Sequence, residues 1–182
     1  MPRVAPITGK SDVPAEHHAV VDAVVKVFGQ VRGPYSVLLN SPTLAERVLN
    51  LGNFFRQESV VKPKDAELAI LVAARERQGA YVWAAHVGAA RRAGVREEAI
   101  DLIRAKGNPA RLPVEEREIV TYAQQLLRTN RSDQAAFDAL RGRYSVQWLV
   151  ELTAAANYFA FLCGIVNAFE VPAPPDGDQL PR

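Results

Sequence analysis

Sulfur chemistry is almost absent: the 182-residue chain has one cysteine, Cys163, and one methionine. An internal disulfide and a dithiol redox couple each need a second thiol, so both are excluded. Histidine is scarce as well. Besides His86 there is only the pair His17-His18 beside Glu16, with no third ligand at a spacing that suits zinc, so no metal is expected. No charge of one sign dominates, since 22 basic side chains face 20 acidic ones for a net +2. That balance argues against a nucleic-acid or anionic-membrane partner. The chain has no phosphate-cradling Gly-x-x-x-x-Gly-Lys-Ser/Thr loop, no dinucleotide fingerprint and no nucleophile elbow, so no cofactor is expected. Its first sixteen residues lack the apolar core of a secretory signal, and a cytoplasmic location is the expectation.

Alternating apolar runs closed by Asn-Gly or Asp-Gly turns are missing too, whereas apolar residues recur at helical spacing along most of the chain. With 48% hydrophobic and 23% charged residues, the expectation is one all-α, single-domain helical bundle. Its boundaries are read as a flexible segment 1–12, a helical domain 13–170 and a Pro-rich tail 171–182. Helices are expected over about 14–28, ending at Gly29, and from Ser41-Pro42, with Leu44, Val48, Leu51 and Phe55 as the buried face. A loop carrying Gly33, Pro34 and Tyr35 separates them. Pro63 opens a helix over 64–78, apolar nearly all round from 68 to 74, which should sit centrally.

A helix over 81–93 follows, ending at Gly94, and its small-sided face of Ala85, Gly88, Ala89, Ala90 and Ala93 lets a neighbouring backbone come close, so the one polar side chain among them, His86, would face a tight cavity or contact. Shorter helices are expected over 96–105, 113–128 and, capped by Ser132, 132–141. The segment 145–169 is the most apolar, but Gln147, Glu151, Asn157 and Asn167 interrupt it, which favours a bundle centre or a subunit interface over a membrane span.

The segment 67–75, from Glu67 to Arg75, followed by Gly79, Tyr81, Val82, Trp83 and His86 and then by Ala93-Gly94-Val95, resembles the carboxymuconolactone decarboxylase family. In that family's hydroperoxidase branch a glutamate precedes a Cys-x-x-Cys by twelve residues, and a histidine follows the second cysteine by four. Glu67, Gly79, Val82 and His86 fall at those spacings. The glutamate and histidine are in register, while glycine and valine stand where the sulfurs would be. Neither can become a thiolate, and burial of Cys163 in an apolar helix would disfavour its ionisation. The cysteine-free branch carries Tyr-Glu-Trp before the histidine, where this chain has Tyr81-Val82-Trp83. Gly33-Pro34-Tyr35, Ser41-Pro42 and Leu51-Gly52 also look like that branch, and with Glu151 and Tyr158 the likeness runs from 33 to 169.

The resemblance implies an alkylhydroperoxidase D-like bundle and a cofactor-free lyase (decarboxylase) or isomerase working on a small anionic lactone or enolisable acid. His86 would move the proton, since imidazoles titrate near neutrality, and Glu67 would orient it. Tyr81, Trp83, Arg75 and Tyr35 are the expected substrate-binding residues, with Arg75 a bidentate donor for a carboxylate. Structural roles stand beside these: a hydrogen-bonded core histidine, a Glu67–Arg75 salt bridge, core packing for Trp83 and Tyr81, and a solvated Arg75. Two other functions stay open, hydroperoxide reduction without its usual cysteines and a non-catalytic binding or assembly role. The expected partners are a small carboxylate substrate and further copies of the chain, a trimer or a multiple of one by resemblance.

Overall fold

The computed structural model describes residues 2–181, and among these it is all helical. Nine α-helices follow one another: α1 His18–Phe28, α2 Tyr35–Leu38, α3 Pro42–Gln57, α4 Pro63–Glu76, α5 Ala80–Arg92, α6 Glu97–Arg104, α7 Val114–Thr129, α8 Gln134–Arg141 and α9 Val146–Ala168. The centre is α4. Its residues 68–74 are all buried, because α9, α7, α5 and α6 each cover part of it. A helix apolar on every side can be stable in water only in such a place. The long α9, with a mean hydropathy of 1.7, is long and apolar enough to cross a bilayer, yet it packs along α4, α5 and α7.

Three local expectations are corrected. The loop at Gly33-Pro34-Tyr35 turns directly into α2, with Pro34 before its first turn and all four helical residues buried. Ser132 does not cap α8; the Asp133 carboxylate accepts from the Ala136 amide at 2.7 Å instead, and a carboxylate suits the positive end of a helix. The buried face of α3 is Ala45, Val48, Leu49 and Gly52, whereas Leu44 and Leu51 are 45% and 47% exposed. The cause is the cover that the fold supplies: α1, α2 and α9 pack against α3, and Tyr158 of α9 lies against its backbone at Gly52.

The segments flanking the bundle lie against it. Arg3 pairs with Glu170 at 2.9 Å, the Ile7 amide donates to the Ser36 carbonyl, and Asp178 bridges Arg91 and Arg104. The loop before α4 is held by Glu151 on α9, whose carboxylate accepts from the Ser59 hydroxyl at 2.7 Å and the Val60 amide at 2.8 Å. Burial opposes that charge, but these bonds and one from Gln147 outweigh it and keep the carboxyl below its ordinary range. The loop thereby becomes a fixed wall.

Candidate active site

Between α4, α5 and α9 lies a cavity of about 520 Å³, closed at one end by α3 and by the residues around α2. It exists because the facing side chains are small: Ala66 on α4, Ala85 and Ala89 on α5, and Ala155 on α9. The small-sided face read from the sequence thus borders open space at Ala85 and Ala89, while Ala90 is turned into the core. Ile70, Val82, Phe159 and Leu162 make most of the remaining wall apolar.

Two polar side chains meet in this wall. His86, from the second turn of α5, sits across from Glu67, from the second turn of α4, and its Nδ1 lies 3.0 Å from Glu67 Oε2. Both are largely shielded, with side-chain exposures of 22% and 14%. The imidazole is held edge-on against the Phe159 ring at 4.8 Å between centroids. A carboxylate at this distance requires a hydrogen on Nδ1, so the neutral ring carries its lone pair on Nε2. Nε2 has no hydrogen-bond partner among the described residues, and the side chain opens onto the cavity. Glu67 therefore pairs with His86 and not with Arg75.

Three phenols contribute to the same wall. Tyr81 is half-buried, and burial raises its pKa although the charge of Arg32 opposes the shift. Its ring lies against the backbone of Gly33, where any Cβ would overlap it. Gly33 has a positive φ of 59°, so glycine is needed there on both counts. Tyr35 is 3% exposed, and its hydroxyl is buried without a hydrogen-bond partner among the described residues. Tyr158 donates to the Val48 carbonyl at 3.0 Å. Burial raises the pKa of both. Arg32, Arg56 and Arg92 complete the boundary.

Of the six site residues named from the sequence, the structure brings His86, Glu67, Tyr81 and Tyr35 together around the cavity and leaves Trp83 and Arg75 outside it. Trp83 is fully buried, on the stripe of α5 that also carries Val87 and Ala90. Three residues turn a helix by about 300°, so Trp83 stands some 60° from His86, on the side that faces the core. The Arg104 guanidinium covers its ring at 5.5 Å. Arg75 donates its Nε hydrogen to the Arg104 carbonyl at 2.7 Å, which ties α4 to α6. A substrate contact for either is thus corrected to a packing role.

Arg32, Arg56 and Arg92 escaped the sequence analysis as cavity residues. Only Arg92 had a local signal, being on the line of Ala85 and Ala89. Among the described residues no cluster of three or more histidine, cysteine, aspartate or glutamate side chains could hold a metal.

Cys163 is buried, and desolvation pushes its thiol up to about 12. Its sulfur occupies the space next to Gly79 where a side chain at that position would begin. A buried thiol whose ionisation is opposed by desolvation reacts slowly, so iodoacetamide should label the native protein negligibly over an hour and the urea-unfolded chain completely. Rapid native labelling would show an accessible thiolate instead.

Residues 42–109 match the model of the carboxymuconolactone decarboxylase family. That segment spans α3 to α6 and carries both Glu67 and His86. No curated protein sequence matches the chain significantly. Among solved structures, the chain is similar to an uncharacterized peroxidase-related protein from Silicibacter sp. TM1040, with 14% identity, a TM-score of 0.77 and coverage of 96% of this chain and 93% of that one. It is similar also to the alkylhydroperoxidase AhpD core of a peroxidase-related protein from Ralstonia eutropha JMP134, with 15% identity, a TM-score of 0.74 and 95% coverage of each chain. A third is the debrominase Bmp8 in complex with 2,3,4-tribromopyrrole, at 18% identity, a TM-score of 0.74 and coverage of 94% and 91%. At these identities the likeness is one of fold.

Proposed function

Because this chain belongs to the carboxymuconolactone decarboxylase and AhpD-like superfamily, we propose that it is a cofactor-free lyase or isomerase that moves a proton on an enolisable carboxylic acid or lactone. The observation that carries this is the Glu67–His86 pair in the wall of a mainly apolar cavity, with Nε2 left without a partner among the described residues. An imidazole oriented by a carboxylate is the usual form of a side-chain general base, and exclusion of water strengthens its electrostatic hold on a charged intermediate.

In the isomerase direction, Nε2 takes the hydrogen from a carbon next to a carbonyl. The electron pair of that C–H bond moves into the carbonyl to form an enolate conjugated with an adjacent carbon–carbon double bond, and the imidazolium returns the proton to the far carbon of that double bond, which shifts by one position. In the lyase direction, the bond to the departing carboxylate breaks. Carbon dioxide leaves, the electron pair is delocalised into the neighbouring carbonyl, and a protonated His86 delivers its Nε2 hydrogen to carbon. In both, Glu67 stabilises the imidazolium and fixes which nitrogen works. Val82 stands where cysteine-free relatives have a glutamate, so the pair would act without a second acid.

The test is to incubate the protein with a panel of lactones and keto acids in D2O and follow carbon-bound hydrogens by proton NMR. Enzyme-dependent exchange or loss of carbon dioxide from at least one member is expected. No exchange across a panel whose members demonstrably bind would refute the proposal and leave a binding role, the reading that Val82 favours. Peroxide reduction has no support in the site, because Gly79 and Val82 carry no sulfur and Cys163 is buried.

The same proposal includes self-association into a trimer or a multiple of it. Val146, Val150 and Phe161, which are 58%, 60% and 41% exposed, lie on one outward line of α9. Light scattering at micromolar concentration should give a mass well above the 20.0 kDa monomer; a monomer would refute it.

A further inference from the structure

The cavity is longer and more apolar than a compact lactone needs. Its wall follows α5 from Tyr81 to Arg92, roughly 16 Å of helix at about 1.5 Å per residue. Its volume of about 520 Å³ falls within the roughly 300–1,000 Å³ of sites that enclose drug-sized ligands. The charge on its boundary is unbalanced. Arg32, Arg56 and Arg92 line it, and none of them has a carboxylate partner among the described residues. The one carboxylate in the wall, Glu67, is engaged by His86.

Two of the three cations stand at one end. Arg56 lies over the Phe28 ring at 4.9 Å and donates to Asn53, a contact that leaves the rest of its fork available. Phe28 in turn packs against Tyr35 at 5.1 Å between ring centroids, the Tyr158 hydroxyl and the Arg56 guanidinium both border Gly52, and Arg32 directly precedes Gly33, against which the Tyr81 ring lies. Both guanidiniums therefore act on the phenol-lined end of the cavity. An apolar trench with two unpaired guanidiniums at one end complements a molecule that is itself divided in this way.

We propose that the ligand is an amphipathic carboxylate, with an elongated aromatic or alkyl body lying along α5 past His86 and its charged group held by Arg32 and Arg56. This deepens the proton-transfer proposal by naming the substrate class, and it rests on the cavity being the substrate site. Body length, not charge alone, then sets selectivity: each methylene that enters the trench contributes about 0.8 kcal/mol, which converts to roughly fourfold in affinity.

The test is calorimetric titration with acetate, 3-phenylpropanoate, 4-phenylbutanoate and 5-phenylpentanoate, with 5-phenylpentan-1-ol as the uncharged comparator. Affinity should rise two- to fourfold per methylene through the phenyl series, and acetate should not bind measurably. The double variant Arg32→Gln/Arg56→Gln should lose tenfold or more for 5-phenylpentanoate and stay within twofold for the alcohol, which also verifies that its trench is intact. Equal affinity along the series, absent binding, or a double variant that holds the anion as tightly as the wild type would each overturn the inference. His86→Gln should keep 5-phenylpentanoate affinity within about threefold, so that failure of the catalytic proposal, read by deuterium exchange, is separable from failure of this one.

Discussion

Replacing His86 by glutamine is expected to lower the rate of carbon-bound deuterium exchange by roughly 10²- to 10⁴-fold, the range for losing a general acid or base. The substitution isolates chemistry from structure. A glutamine amide can still donate to Glu67 and occupies similar space beside Phe159, so the melting temperature should move little. It has no group that shuttles a proton near neutral pH. Glu67→Gln should cost less, because it leaves the imidazole in place and removes only the charge that orients it. An unchanged exchange rate in pure His86→Gln protein would remove the imidazole from the mechanism, whatever the substrate.

Substituting Gly79 by alanine should destabilise the fold by about 1–3 kcal/mol, the usual cost of overpacking a dense interior. For a chain of this length that corresponds to a melting temperature lower by roughly 2–4 °C per kcal/mol. The reason is specific: the added Cβ would overlap the Cys163 sulfur and crowd its Cβ. In a Cys163→Ala background the same change should therefore cost measurably less, and a double-mutant cycle should show coupling of at least about 0.5 kcal/mol. Strictly additive effects would mean that the helices move apart to absorb the methyl group. The contact also bears on the missing redox pair. Position 79 is where the first cysteine of the hydroperoxidase branch falls, so a thiol placed there would compete with Cys163 for the same space, and Gly79→Cys should be destabilised less in a Cys163→Ala background.

The central layer was legible because its signals are local. A helix apolar on all sides, 68–74, has one place to go, and a stripe of alanines around a single histidine marks a face of close approach, which the structure resolves into a cavity at Ala85 and Ala89. Glu67 and His86, separated by 19 residues, could be paired before the structure only through the family spacing, since neither periodicity nor composition says which faces of α4 and α5 meet. Trp83 shows the limit of helical geometry: a turn of about 60° separates a residue on the cavity from one in the core, and a nearby buried surface decided which it was. For α3, amphipathicity left two adjacent faces available. Which one is buried depends on three helices that approach from elsewhere in the chain, and so Leu44 and Leu51 ended outward. Arg32 and Arg56 were illegible for the same reason. Arginines on unrelated elements acquire meaning only when folding brings them to one rim without carboxylates to neutralise them.

The proton-transfer mechanism depends on Glu67 claiming Nδ1 and leaving Nε2 available to a ligand, which nitrogen-15 NMR of the His86 ring reads directly. A neutral ring protonated on Nδ1, with an Nε2 resonance that shifts when 5-phenylpentanoate is added, is the expected result, and Glu67→Gln should blur the preference for that tautomer. A ring protonated on Nε2 and indifferent to the ligand would contradict it.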